Sequence, residues 1–242
     1  KRTSRLSSRD TEKSLKASIK NQEQILQLED RTKPGYAKQA IALADFYWDL
    51  AEFYGNRAYS EEIEKPLYEA EQRKDAEAVK KWKIEQERAL SFQKTYQDET
   101  ITRYRQVLDK FKRADNRDQI RYFLAYNLVQ MGRGEEGAEE YMKIITEFPE
   151  PPYVPDALVN IGDYYFEIND FGNAQRLFQK AQEEKYQGAN VYGYAVYKEA
   201  WCLYNMPSSN PKDPTENYKL SLQRFIDVIG IADKRANEGQ IG

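Results

Sequence analysis

The hydrophobic positions between residues 155 and 181 recur every three or four residues, and they predict two short amphipathic helices. Side chains at this spacing lie on one side of an α-helix. The shared faces consist of Leu158, Ile161 and Tyr165 in the first helix and of Ala174, Phe178 and Ala181 in the second. The polar pair Asn169-Asp170 separates the two patterns, so we predict helix, turn, helix.

Gly162 interrupts the first of these helices, where glycine is unfavourable by about 1 kcal/mol relative to alanine. It falls at position eight of a 34-residue unit that begins at Pro155, and Ala174 falls at position 20. This unit resembles the tetratricopeptide repeat, W-x2-L-G-x2-Y…A-x3-F…P, with Tyr186 in place of the final proline. The resemblance gives the glycine a reason: Gly162 and Ala174 are small where the two helices of a repeat touch.

The neighbouring segments repeat the pattern. We assign repeats to residues 119–154, 155–189 and 190–230, the last with an extended turn at 207–217. In this register Tyr126 and Trp201 take the position of Gly162, and Ala138 and Met142 take those of Ala174 and Phe178. A fourth repeat, 36–118, is split, because its two helices, 40–55 and 100–111, are separated by an insertion. Three units at nearly constant spacing favour a repeat protein over chance similarity.

The insertion, residues 55–99, is almost evenly charged and rich in strong helix formers. We predict a coiled-coil-like helical hairpin that turns near Arg73–Asp75 and projects about 33 Å. Pro66 should kink its first arm. Its apolar seam is thin, so two interpretations stay open: the hairpin binds a partner, or it is a solvated arm.

The two ends of the chain complete the predicted architecture. Residues 10–33 form an amphipathic helix that caps the first repeat, preceded by a flexible basic arm, 1–9, and the chain closes with a polar tail, 231–242. The predicted fold is therefore all-α: a tetratricopeptide solenoid of about four helix-turn-helix repeats with an N-terminal capping helix and an inserted long helical hairpin.

Composition narrows the chemistry. The 242 residues contain no histidine, which removes the commonest general base and most transition-metal sites. The single cysteine, Cys202, excludes an intramolecular disulfide, and its apolar surroundings favour a buried inert thiol over a reactive one. With a net charge of −3, no basic face and no apolar run of about 20 residues, we predict no nucleic-acid binding and no membrane span. We expect no enzyme activity, catalytic residue, metal or cofactor.

The tetratricopeptide resemblance implies a groove lined by the first helix of each repeat. Carried over position by position, the predicted partner-binding residues are Asp45, Trp48, Asp49, Phe123, Asn127, Asp156, Asp163, Phe166, Glu167 and Lys198. Only Asn127 and Lys198 fit the carboxylate clamp of cochaperone repeats, so that subfamily is disfavoured. The acidic lining with interspersed rings predicts a basic or amphipathic peptide segment as partner.

The last predicted helix raises the question of what lies beside it. Tyr218, Leu222, Phe225 and Ile229 are predicted to pack inside their own repeat, whereas Leu220 and Ile226 lie outside that stripe. A repeat array needs a polar outer face at its end. We therefore predict an incompletely capped edge at Leu220 and Ile226, where the chain continues or another subunit docks.

The amino-acid sequences of the repeats are similar to those of repeats in bacterial envelope proteins. "YAVYKEAWCLYN" and "FPEPPYVPDALVNIGDYYF" resemble repeats of outer-membrane assembly lipoproteins, of the Tol–Pal-associated periplasmic protein and of gliding machinery. The resemblance implies a scaffold or adaptor in a periplasmic or outer-membrane complex, with a cytoplasmic location as the alternative. The other function class is a structural subunit that self-assembles into an oligomer or filament.

Overall fold

The computed structural model describes residues 8–30, 34–112, 116–148, 152–237 and 239, and within these ranges it contains helices and no strand. The all-α prediction is confirmed. The α-helices are α1 Ser8–Leu28, α2 Pro34–Ala58, α3 Glu61–Gln72, α4 Ala76–Lys110, α5 Arg117–Gln130, α6 Gly134–Glu147, α7 Val154–Glu167, α8 Phe171–Lys180, α9 Tyr192–Asn205 and α10 Glu216–Asn237, with a 3-10 turn at Glu184–Tyr186.

Two compact units divide the chain, residues 1–120 and 121–242. Most of the predicted basic arm lies outside the described residues, as do positions 31–33 of the predicted capping helix and part of the predicted tail. Ser8 and Arg9, which we assigned to the arm, form the first turn of α1 instead.

The core of the first unit lies where α2 packs against α1 and α4. Tyr54, on α2, is buried, and its ring contacts those of Phe92 and Tyr96 on α4 at centroid distances of 4.9 and 5.7 Å. The Tyr54 hydroxyl donates a hydrogen bond of 2.8 Å to Glu12 on α1. One ring thus joins three helices while its polar end reaches a charged partner at the rim.

The inserted region differs from the predicted hairpin, because its first arm is divided into two helices and is not one kinked helix. The helical conformation is interrupted at Tyr59 and Ser60, between α2 and α3, and Pro66 lies inside α3. The turn falls at residues 73–75, where Lys74 has a positive φ of 55° and the Asp75 carboxylate accepts a hydrogen bond of 3.0 Å from the Ala78 amide. Asp75 therefore caps the N-terminus of α4.

The second arm also packs more closely than a projecting hairpin would. Gln86 Nε2 donates a hydrogen bond of 3.0 Å to the Ala58 carbonyl, and Ala89 is buried in the core that contains Tyr54. The Gln93 side chain of α4 lies against Gly55 of α2. One side of residues 86–99 therefore packs on the core of the first unit, through Ala89, Leu90 and Tyr96.

The second unit contains three helix pairs, α5 with α6, α7 with α8 and α9 with α10. A Cβ atom at Gly162 would lie 2.7 Å from Cε1 of Phe178, which is fully buried on α8. Gly162 therefore makes room for a phenylalanine ring of the partner helix. The turn between these helices has Asn169 at a φ of 63°, and Asp170 caps α8 by accepting from the Asn173 amide.

The contact between α5 and α6 is one residue out of register with the predicted repeat. A Cβ atom at Gly137 would meet Val129 Cγ2 at 2.6 Å and the Ala125 carbonyl at 3.0 Å, whereas Ala138, the next residue, is only partly buried. Tyr141 is fully buried, whereas Met142, which we expected inside, is exposed. If this repeat begins at residue 118 instead of 119, its small residues Ala125 and Gly137 fall at the positions that Gly162 and Ala174 take in the α7–α8 pair.

The same one-residue shift occurs in α9. Ala200 is fully buried, and its carbonyl accepts a hydrogen bond of 2.8 Å from the Ser221 hydroxyl on α10. Trp201, which the predicted register placed at the contact, is only partly buried. The helix is thus turned by about 100° relative to the prediction, because one residue corresponds to that rotation. This rotation decides which side chains face outward.

Candidate functional site

The outward side of α7 carries three carboxylates and an amide at four- and three-residue intervals. This acidic stripe consists of Asp156, Asn160, Asp163 and Glu167. Glu167 is exposed, and Asp156 and Asp163 are half-buried. Burial raises the pKa of the Asp156 carboxyl above its usual value, since a partly dry site disfavours the charged form.

The outward side of α9 carries rings at the same helical spacing. This aromatic stripe consists of Tyr194, Tyr197, Trp201 and Tyr204. The three tyrosines are 39–51% exposed, a large exposure for side chains of this size. Successive ring centroids lie 6.2, 6.2 and 5.7 Å apart, so the rings form a continuous surface.

Lys198 connects the two stripes. Its ammonium lies 2.9 Å from Asp163 Oδ1 and 4.0 Å from the ring centroid of Phe166 on α7. The Tyr194 hydroxyl donates a hydrogen bond of 3.1 Å to Asp163 Oδ2. Burial, followed by the charge of Asp163, raises the pKa of the Tyr194 hydroxyl, which therefore stays protonated as a donor. The acidic and aromatic stripes thus form one continuous surface, which we name the α7–α9 face.

Two tyrosines of α5 border the other side of α7. The Tyr122 ring stacks on that of Tyr153 at 4.9 Å, and burial together with the nearby charge of Asp156 raises the pKa of the Tyr122 hydroxyl. Tyr126, one turn further along α5, is exposed. The acidic stripe therefore has aromatic side chains on both of its flanks.

The structure brings together five of the predicted groove residues on the α7–α9 face or directly beneath it: Asp156, Asp163, Phe166, Glu167 and Lys198. Asn127, however, is 3% exposed and does not line a groove, because the rotation of α5 points it inward and turns Tyr126 outward. Phe123 is exposed on α5. Sequence reasoning missed the aromatic stripe, although the 3-4-3 spacing of its rings was a visible signal.

The remaining predicted groove residues lie in the first unit, on α2. The Tyr104 hydroxyl on α4 donates a short hydrogen bond to Asp45 Oδ1, while burial raises the pKa of the Asp45 carboxyl. Partial desolvation, then the negative charges of Glu52 and Asp45, raises the pKa of Asp49, although Asp45 and Asp49 are both exposed to solvent. Trp48, which lies between Asp45 and Asp49 in the sequence, is partly buried. These side chains form a small acidic group of their own.

The last helix exposes more apolar surface than the sequence predicted. Leu220 and Ile226 are exposed as expected, but so are three side chains that we expected to pack inward, Tyr218, Leu222 and Ile229. The reason is that α10 turns Ser221 toward α9, where it bonds the Ala200 carbonyl. We name the group of Tyr218, Leu222, Ile226 and Ile229, each 52–62% exposed, the α10 apolar side.

A buried carboxylate that sequence reasoning also missed fixes α9 to its neighbours. Glu199 is 1% exposed, and its oxygens accept hydrogen bonds from Gln179 at 2.8 Å and Gln182 at 3.0 Å. Arg224, on α10, completes the group with Nε 3.2 Å from Oε2. A buried charge with this many donors is stably held and fixes the orientation of the aromatic stripe.

Comparison with known proteins adds little to this geometry. No protein-family model matches the chain, and no curated protein is similar to it. Among solved structures, the crystal structure of BtubC (BKLC) from P. vanneervenii is 14% identical, covers 98% of this chain and 94% of its own, and superposes with a TM-score of 0.41. That score is too low to carry an argument. Within the described helices, none combines the length and apolar character that crossing a membrane requires.

Proposed function

We propose that this chain is a non-enzymatic scaffold or adaptor that binds other proteins through the α7–α9 face. The observation that supports this is the row of exposed rings beside three carboxylates. Tyrosine and tryptophan are enriched at protein interfaces, where a few such side chains carry most of the binding energy. Monomeric proteins seldom leave a contiguous aromatic surface exposed without a use for it.

The internal organisation of the second unit supports the tetratricopeptide interpretation. Each of its pairs places a small residue at the contact between the two helices: Gly137, Gly162 and Ala200. In tetratricopeptide proteins the first helix of each pair lines the partner-binding groove, which here corresponds to α5, α7 and α9. By the resemblance of its repeats, we place the protein in a periplasmic or outer-membrane complex of the bacterial envelope.

Site-specific photo-crosslinking in the native organism tests the proposal. A photoreactive phenylalanine analogue at Tyr204 should give a discrete protein adduct, and the charge reversals Asp163→Lys and Glu167→Lys should remove it. The same analogue at Met142, an equally exposed position on α6, is the matched control. Adducts of equal yield from both positions, or from neither, would overturn the proposal.

Self-assembly is the second candidate function, and the α10 apolar side favours it. Its four large side chains are spaced along one face of a 22-residue helix, as in helices that pack against a second copy. If a second copy binds there, light scattering should give an oligomer for the wild type and a monomer for Ile226→Glu. Met142→Glu, at an exposed position elsewhere, should leave the oligomer intact. A monomeric wild type at micromolar concentration would contradict this alternative.

A further inference from the structure

The rings of the aromatic stripe are already held in place before any partner binds. Trp201 packs at near right angles to Tyr197 and Tyr204, with interplanar angles of 79° and 80°. Behind them, the Phe225 ring of α10 contacts Tyr197 at 5.9 Å and Trp201 at 5.4 Å. A ligand therefore meets preoriented ring walls, and little side-chain freedom is lost on binding.

The kinds of side chain on this face distinguish between two classes of peptide. An amphipathic helix binds by placing apolar anchors at i, i+3, i+4 and i+7 into an apolar groove. The α7–α9 face offers mainly rings and hydroxyls, with the single exposed aliphatic side chain of Ile168 at the end of α7, whereas a row of exposed aliphatic side chains, Leu222, Ile226 and Ile229, lies on α10. An extended polyproline-II segment suits ring walls, and its carbonyls, which have no internal hydrogen bonds, can accept from tyrosine hydroxyls.

Charge defines the second feature of the ligand. Lys198 balances Asp163, but Asp156 and Glu167 have no ion pair among the described residues. Glu167 lies one helical turn beyond Asp163, whose carboxylate accepts the hydrogen bond of the Tyr194 hydroxyl. An exposed carboxylate therefore stands next to the ring walls, where a cationic side chain gains both an ion pair and contact with an aromatic face.

We propose that the α7–α9 face binds an extended proline-rich segment whose prolines stack on Tyr197, Trp201 and Tyr204 and whose arginine or lysine pairs with Glu167. This inference rests on the proposed function, because it names the chemistry of the protein segment that the face would take.

Fluorescence anisotropy with a labelled ten-residue peptide of nine prolines and one arginine tests the inference. Tyr204→Ala should weaken binding by about tenfold, as expected for the loss of one ring on which a proline stacks, and Tyr204→Phe should retain most of the affinity. Tyr68→Ala, at an exposed tyrosine of α3, is the matched control and should change nothing. Thermal melting of each variant establishes that it is folded.

The role of Glu167 is isolated by changing both partners. Glu167→Gln should weaken the arginine peptide by about two- to fivefold, the range of exposed ion pairs, and should not affect a peptide of ten prolines. Equal weakening of both peptides would contradict the assigned pairing.

Two further probes separate this inference from the broader function. If a leucine- and lysine-rich amphipathic peptide binds in a Tyr204-dependent manner and the proline peptides do not, the inference is wrong while the protein-binding function stands. If a chito-oligosaccharide binds there and neither peptide does, the inference is wrong and the face recognises sugar. Absence of both peptide binding and the Tyr204 crosslink would overturn both proposals.

Discussion

The two units of this protein differ in where several of their tyrosines lie, although each unit contains both buried and exposed rings. In the first unit Tyr47, Tyr54 and Tyr104 are all less than 10% exposed, whereas in the second Tyr194, Tyr197 and Tyr204 are at least 39% exposed. Both units are built from amphipathic helices, and they differ in how those helices meet.

Small residues at the helix contacts account for the difference. In the second unit Gly137 and Gly162 leave no room for a Cβ atom, and the adjacent helices approach closely. Gly162 makes room for one ring, that of Phe178, whereas the tyrosines of the aromatic stripe remain exposed. In the first unit the 35-residue α4 runs beside α2, and the space between them is filled by stacked rings. Their hydroxyls reach charged partners, as Tyr47 reaches Glu23 and Tyr54 reaches Glu12.

The largest expected effect comes from removing the packed part of the insertion. Deleting residues 57–97 and closing the gap with a short linker removes Ala89, Phe92 and Tyr96 from the core of the first unit. We expect that unit to lose its cooperative thermal transition, measured by circular dichroism.

A shorter deletion is the control for this comparison. Removing residues 61–85 leaves that core intact, and Ser60 can be joined to Gln86 by a short turn because Gln86 Nε2 lies 3.0 Å from the Ala58 carbonyl. Only a modest decrease in melting temperature should follow. An unchanged transition after the longer deletion would show that the long arm of α4 contributes nothing to the core.

Truncating one ring in each unit should give an intermediate effect. Tyr54→Ala should lower the free energy of unfolding by about 3–5 kcal/mol, since it leaves a cavity among packed rings. Tyr204→Ala should change it by less than about 1 kcal/mol, because this ring is half exposed. Chemical denaturation measures both. Similar losses for the two variants would remove the distinction between inward and outward rings.

The smallest expected effect concerns the pH dependence of the first unit. The raised pKa of Asp49 means that the folded state binds its proton more readily than the unfolded state does. Asp49 is therefore unfavourable above that pKa, and the penalty disappears as the pH falls below about 3.9, the ordinary value. Asp49→Asn should be more stable than the wild type at pH 7, by less than about 1 kcal/mol, and no different near pH 3.

Glu12 should affect the pH dependence of stability with the opposite sign, and it serves as the comparison for Asp49. A hydrogen bond from Lys16 lowers the pKa of Glu12, so its stabilisation is present above the ordinary pKa and is lost as the pH falls through the lowered value. Glu12→Gln should accordingly be less stable than the wild type at pH 7, with a difference that shrinks in acid. Parallel pH profiles for the two variants would contradict the assigned environments.

The helical periodicity and the role of Gly162 at a helix contact could be predicted from the sequence, but the rotation of α5 and α9 about their axes could not. Gly137 and Ala138 are adjacent and both small, and only the position of Val129 decides which one faces α5. The interruption after α2 did have a signal, since Ser60 followed by Glu61 and Glu62 is typical of a helix start.

The buried carboxylate illustrates a harder limit. A glutamate is ordinarily read as exposed. The donors that make Glu199 acceptable inside come from α8, from the turn that follows it and from α10: Gln179, Gln182 and Arg224. Nothing in the local pattern brings them together. The spacing of the rings in the aromatic stripe was visible in the sequence, but their outward orientation depends on the packing of α9.

The burial of Cys202 gives the second unit an intrinsic kinetic reporter. It is the only cysteine of the chain, and burial raises the pKa of its thiol to about 12. Because only the accessible thiolate reacts, an alkylating reagent can modify it only in molecules in which α9 has transiently separated from its neighbours. The alkylation rate therefore measures the population of that opened state, and any ligand that bridges α7 and α9 should slow it in proportion to its occupancy.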